Sequence, residues 1–190
     1  GDGTQGKALV DADVNLIAFT GSRATGAHIL EHASGELKRV ILELGGKDPL
    51  IVLDDANLEA AAKFAAMNSF RNAGQVCVST ERIYVQEPVA AQFQQLLCEA
   101  ATSMQVGDGC VEGTEVGPMI DGGQKQHVEQ QVEKAVSDGA EVVYRGEDIG
   151  GNFFPLTVLA GCQESMDVIR EETFGPVACV LKVGDDAEAI

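Results

Sequence analysis

The chain has no tryptophan, and only 7 Phe and 2 Tyr stand among its 190 residues. A core of this composition must be built from aliphatic and small side chains. The 22 glycines suit an α/β protein with many tight strand–helix connections. Positive charge is also scarce: 13 Lys and Arg face 30 Asp and Glu, a net charge of −17. Such a chain repels nucleic acid and anionic membrane, and both are discounted as partners. The acidic residues are spread along the chain and read as a solvated surface. No run approaches the roughly 20 apolar residues of a membrane span, and no signal-peptide pattern opens the sequence. The five cysteines form no CxxC pair and are odd in number. That argues against a disulfide scaffold and a structural zinc site, and for reduced thiols of a cytosolic kind. There is no internal repeat and no low-complexity tract. At 45% hydrophobic residues the chain can bury a real core. It begins without Met and ends in DDAEAI, the pattern of a helix just starting, so the expectation is an internal segment of a longer protein.

What is present is organised around residues 42–82. Two side chains there stand in settings suited to chemistry. Glu43 lies in LELGGK, after the apolar run VIL and before a Gly-Gly pair. Cys77 lies in NAGQVC, a Gly-Gln loop after an alanine-rich helix. A carboxylate at the carboxyl end of a strand faces the crevice where open α/β sheets bind ligands. Apolar neighbours would raise its pKa toward that of a general base. The plainer alternative is an ion pair with Lys47. A loop cysteine ringed by backbone N–H groups can act as nucleophile and can bind a developing oxyanion. The plainer alternative there is a small buried hydrophobe. By that standard Cys98, Cys162 and Cys179 read as core, and Cys110, in a glycine loop, as exposed.

The flanking pattern is α/β throughout. GDGTQG at the start matches GxGxxG, but no strand can be checked before it, so it reads as a turn leading into a helix over KALVDAD. Residues 14–20 predict a short buried strand. A glycine turn at Gly21 and a helix capped by Ser22 follow. The free N–H groups of such a helix start could receive a phosphate, or simply make an ordinary strand–helix connection. His28 and His32, four apart, could hold a metal, but no third ligand is suggested and surface histidines are the simpler reading. Further strands are expected at 39–44, 49–53, 81–86, 142–144, 156–159 and 177–183. Helices are expected at 58–70, 88–104 and 121–138, with a glycine-rich loop over 105–118. The adjacent Glu171 and Glu172 cannot both face one site; one is expected exposed and the other at a helix end. A domain boundary is expected near Gly45-Gly46.

Four ordered motifs together resemble the aldehyde dehydrogenase family. FTGS (19–22) with Gly26 is similar to its cofactor turn, LELGGK to its general-base motif, NAGQVC to its nucleophile loop, and EETFGPV (171–177) to its nicotinamide-ribose motif. The resemblance implies the end of a Rossmann-like cofactor domain over 1–45 and a truncated α/β catalytic domain over 46–190. It implies that Cys77 attacks the aldehyde carbon, with its own N–H as half of an oxyanion hole, and that Glu43 activates the water that hydrolyses the thioester. Gly21 and Ser22 would approach the cofactor pyrophosphate, with Leu44 also at the cofactor. Glu172 would hold the nicotinamide ribose and Phe174 would pack against the nicotinamide end. The implied cofactor is NAD or NADP, with no metal. The implied partners are a small aldehyde and other copies of the full-length protein, and the implied location is the cytoplasm or an organelle matrix. The family's second oxyanion donor lies upstream of this segment, so the segment alone is expected to be inactive. Arg71 matches the position where succinate-semialdehyde dehydrogenases place a carboxylate-binding arginine; a structural ion pair is the alternative. A CoA-acylating relative, or a silent protein of the same fold, are the competing functional readings.

Overall fold

Asp2 sets where regular structure begins. Its carboxylate accepts the Thr4 N–H at 2.8 Å, and the Gln5 side chain accepts the Asp2 N–H at 2.7 Å. This reciprocal capping satisfies donors that a helix start otherwise leaves open. Helix α1 (Gly3–Val10) therefore starts inside GDGTQG, earlier than the composition of that stretch suggests. The computed structural model describes every residue, Gly1–Ile190. It is a mixed α/β protein of two compact units, Gly1–Gly46 and Lys47–Ile190.

In the first unit, strand β1 (Leu16–Gly21) and strand β2 (Arg39–Leu44) run parallel, with Thr20 beside Glu43 and Gly21 beside Leu44. Helix α2 (Arg23–Ser34) connects them and buries Gly26, Ile29 and Ala33. Gly26 leaves room for Leu44: a β-carbon there would come within 2.7 Å of Leu44 Cδ2, and that side chain would have to shift. The buried strand expected at 14–20 is not found as such. Leu16, Ala18 and Thr20 are exposed, because α2 covers only one face of this two-stranded ribbon within the unit.

The second unit carries a five-stranded sheet. Strand β3 (Asp48–Val52) leads through helix α3 (Leu58–Phe70), capped by Asn57, to strand β4 (Thr80–Gln86). Helix α4 (Glu87–Ser103) begins with Pro88 in its first turn, where the missing N–H costs nothing. After a loop holding only the Val106–Val116 bridge come helix α5 (Gly122–Ser137), strand β5 (Glu141–Arg145) and strand β6 (Thr157–Ala160). The short helix α6 (Asp167–Arg170), strand β7 (Val177–Val183) and helix α7 (Asp186–Ala189) close the chain. The strand order is β3-β4-β7-β6-β5, parallel except for the β5–β6 pair. Strand β4 is buried at every position but Arg82, as a parallel strand covered on both faces should be. Its Ile83 and Val85 join Phe70, Phe93, Leu97 and Phe154 in one core, almost wholly aliphatic and alanine between those rings. No helix is long and apolar enough to cross a membrane.

Candidate active site

Three segments precede three neighbouring parallel strands, so sheet order alone gathers them at one edge. Lys47 precedes β3, Cys77 precedes β4, and Glu172 with Phe174 precede β7. This is the amino edge of the second unit's sheet. In the first unit the residues of interest, Gly21, Ser22, Glu43 and Leu44, stand at the carboxyl ends of β1 and β2.

The cysteine loop is tightly specified. After α3 the chain turns through Arg71–Gly74 with Asn72, Ala73 and Gly74 all at positive φ (52°, 55° and 68°). Two consecutive non-glycine residues in this region are costly, roughly 1–2 kcal/mol each, and persist only when their surroundings hold them. Here Asn72 Nδ2 donates to the Gln75 carbonyl at 3.0 Å, and Gln75 Nε2 returns to the Asn72 carbonyl at 3.0 Å. Gln75 Oε1 also accepts the Ile120 N–H at 2.8 Å, tying the loop to the segment before α5. Downstream, Ser79 Oγ donates to the Asn68 carbonyl at 3.0 Å and Ser69 Oγ to the Thr80 carbonyl at 2.7 Å. Between these anchors Cys77 is exposed, and its backbone N–H donates to no group of the chain. An exposed sulfur beside a free N–H on a braced turn suits a nucleophile with its own oxyanion donor. Arg71, at the end of α3, is exposed, and none of the chain's six ion pairs engages it.

The loop before β7 is held by a buried charge. Glu81 is 3% exposed. Its two carboxylate oxygens accept the successive N–H groups of Thr173 (3.2 Å) and Phe174 (3.0 Å). Lys47, 9% exposed at its side chain against 4% for Glu81, pairs with that carboxylate and donates to Thr173 Oγ1 at 2.8 Å. So the plainer expectation for Lys47, a pair with Glu43, gives way to Glu81 and Thr173. Gln124 Nε2 donates to the carbonyls of Thr173 and Phe174, each at 3.1 Å. Phe174 adopts φ 48°, a strained value for an aromatic residue. Glu172 and Phe174 are half-buried and Glu171 is exposed; the exposed acid is also the one that ends α6, so the expected split into one exposed acid and one at a helix end is not found.

In the first unit Glu43 is exposed on the face of β2 that carries Arg39 and Ile41. The apolar enclosure expected around it is not supplied by this unit, because α2 packs on the opposite face, against Leu44. Ser22 caps α2 as expected: its Oγ accepts the Thr25 N–H at 3.2 Å. The turn Gly21-Ser22 is exposed at the start of this 12-residue helix, open to an anion. His28 and His32 are joined on α2 by Glu31, whose ligand atom lies with theirs within 4.8 Å. In the sequence, the three-residue spacing of Glu31 from His28 puts the third side chain on the same helix face. Cys162 and Cys179 are buried and Cys110 is exposed, as expected, but Cys98 is only half-buried. A groove between α3 and α4, lined by Glu59, Lys63, Leu96, Glu99 and Ser103, holds none of the candidate residues.

A model of the aldehyde dehydrogenase family matches residues 1–190. The glutarate-semialdehyde dehydrogenase of Pseudomonas putida is 43% identical over 177 residues, which cover 93% of this chain and 37% of that protein. The succinate-semialdehyde dehydrogenase [NADP(+)] GabD of Escherichia coli is 41% identical over 179 residues, covering 93% of this chain and 37% of its own length. Among solved structures, the betaine aldehyde dehydrogenase of Staphylococcus aureus in complex with NAD+ superposes with a TM-score of 0.94 at 34% identity, over 100% of this chain and 39% of that one. The chain thus spans little more than a third of the length of these relatives.

Proposed function

The chain belongs to the aldehyde dehydrogenase family, and from that premise we propose that it is the middle of an NAD(P)-dependent enzyme that oxidises a semialdehyde to the acid. On this reading Gly1–Gly46 is the end of the cofactor domain and Lys47–Ile190 most of the catalytic domain, a division at the join of the two compact units. The observation that carries the reading is the exposed Cys77, with its N–H free, on a braced turn at the same sheet edge as Glu172 and Phe174.

The residues present fit a dinucleotide. The exposed Gly21-Ser22 turn opens a helix whose first N–H groups favour an anion, and Glu172 offers a carboxylate to ribose hydroxyls. When bound, NAD(P) supplies the hydride acceptor. Cys77 Sγ adds to the aldehyde carbon as thiolate, and the oxygen that gains charge is stabilised by the Cys77 N–H. Loss of hydride from that carbon leaves a thioester on Cys77. Glu43 then takes a proton from water as the water attacks the thioester carbonyl, the C–S bond breaks, and the acid departs with Cys77 restored as thiolate. Arg71 receives the far carboxylate of a semialdehyde; a guanidinium can fork onto it, and both curated relatives above are named for semialdehydes.

Product analysis of the full-length enzyme tests this reading against the CoA-acylating one. Free acid formed at the same rate with or without CoA supports Glu43-driven hydrolysis. Acyl-CoA as the product, or no turnover of any aldehyde, overturns it.

A further inference from the structure

A carboxylate nine-tenths or more buried, in a strand buried at every position but one, calls for an explanation beyond folding. Unpaired it would be costly, and even paired it rarely stabilises more than an apolar residue of the same size. Glu81 is such a group, and everything that satisfies it belongs to two places: Lys47, and the backbone of Thr173 and Phe174. Two successive N–H groups turned toward one carboxylate fix the peptide planes on both sides of Thr173. The chain then passes through Phe174 at φ 48°, a conformation that persists only when its surroundings hold it. The carboxylate therefore anchors the backbone between the side chains of Glu172 and Phe174.

We infer that Glu81 and Lys47 are positioning residues of the cofactor site: their buried pair locks the Thr173–Phe174 backbone and so fixes the direction of Glu172 and Phe174 toward the nicotinamide riboside. The inference rests on the reading of Glu172 and Phe174 given above. Lys47 contributes twice, by neutralising Glu81 and by holding Thr173 Oγ1 at 2.8 Å. Its carbonyl in turn accepts Arg82 Nε at 2.8 Å, which ties the start of β3 to the start of β4. Gln124 closes the loop's carbonyl side, so both faces of the peptide groups at 173 and 174 are engaged.

The test compares Glu81→Gln, Lys47→Met, the double variant and Thr173→Val with the parent in the full-length enzyme. Three readouts are taken: equilibrium binding of NAD(P)H by fluorescence, hydrogen exchange of the 173–174 amides, and KM for cofactor and for aldehyde separately. Glu81→Gln keeps the shape but sets an amide NH2 against a backbone N–H and strands the Lys47 charge. It is expected to weaken NAD(P)H binding about tenfold, to speed exchange at 173 and 174, and to leave KM for aldehyde within about twofold. The double variant is expected to lose no more than the worse single one, because the two residues act as a unit. Thr173→Val leaves the ion pair intact, so it remains folded if the others do not, and is expected to weaken NAD(P)H binding about threefold. Unchanged NAD(P)H binding in Thr173→Val together with Glu81→Gln, or equal losses for cofactor and aldehyde, overturns the inference. Glu172→Gln separates the two levels: if it too leaves NAD(P)H binding unchanged, the reading of Glu172 fails; if it alone weakens binding, only the positioning role fails.

Discussion

Gly74 packs its α-carbon against the carbonyl group of Gly175 so closely that a β-carbon at position 74 would overlap the Gly175 oxygen and the Pro176 nitrogen. The loop that carries Cys77 and the loop that carries Glu172 and Phe174 thus touch backbone to backbone. Gly175 is pinned from its other side, where Val128 of α5 leaves no room for a β-carbon either.

Gly74→Ala is expected to disturb both loops at once. The overlap with rigid backbone and the positive φ of 68° together cost about 2–4 kcal/mol. Thermal unfolding of the full-length protein measures the loss. Cys77 alkylation and NAD(P)H binding are expected to fall together, and an unchanged melting temperature would show that the two loops are not in this contact.

Thiol chemistry divides four of the five cysteines. Cys77 and Cys110 are exposed and are expected to react first with a neutral alkylating reagent, read site by site by mass spectrometry. Burial, with Glu99 nearby, pushes the half-buried Cys98 thiol up. The contact with Cys162, and then burial, hold the Cys179 thiol well above its ordinary range. Cys98 and Cys179 are therefore expected to stay unmodified near neutral pH, and as pH rises Cys98 is expected to begin to react at alkaline pH, because the thiolate is the reactive form. Aldehyde substrate is expected to protect Cys77 and not Cys110.

Arg71→Ala in the full-length enzyme is expected to raise KM for semialdehyde acids about tenfold or more and to leave neutral aldehydes unaffected. Steady-state kinetics on a matched pair of substrates decides it. Equal effects on both would assign Arg71 to structure.

Much of this site is legible in the residues themselves, and what is not has a physical cause. The alternation of apolar runs with Gly, Asn and Asp turns locates β2, α3, β4 and β7 within a residue or so, because burial of parallel strands and helix capping are local signals. Ser22 and Asn57 cap their helices as their side chains predict. The pairing of Lys47 with Glu81 was not legible, since it joins residues 34 apart in sequence through the sheet register of β3 and β4, which no local pattern encodes. A signal did exist: an acid inside TERIYV, a strand with apolar residues on both faces, must find a partner. The exposure of β1 was not legible either, because a strand's sequence shows which faces want cover and not whether a given stretch of chain supplies it. The left-handed Asn72 and Ala73 escape local reading for a similar reason, being held by Gln75 and by the packing of Gly74.

The isolated segment of 190 residues is expected to oxidise no aldehyde with NAD or NADP, since the resemblance places the second oxyanion donor outside it. Absorbance of reduced cofactor measures this, and robust turnover by the purified segment would contradict it.

The division of labour between Cys77 and Glu43 is tested most directly by rapid mixing of the full-length Glu43→Gln enzyme with aldehyde and NAD(P). One burst of reduced cofactor per active site is expected, followed by turnover slowed by about two orders of magnitude or more, with the acyl group found on Cys77 by mass spectrometry. Steady turnover at the parent rate, or an acyl group on any other residue, would contradict it.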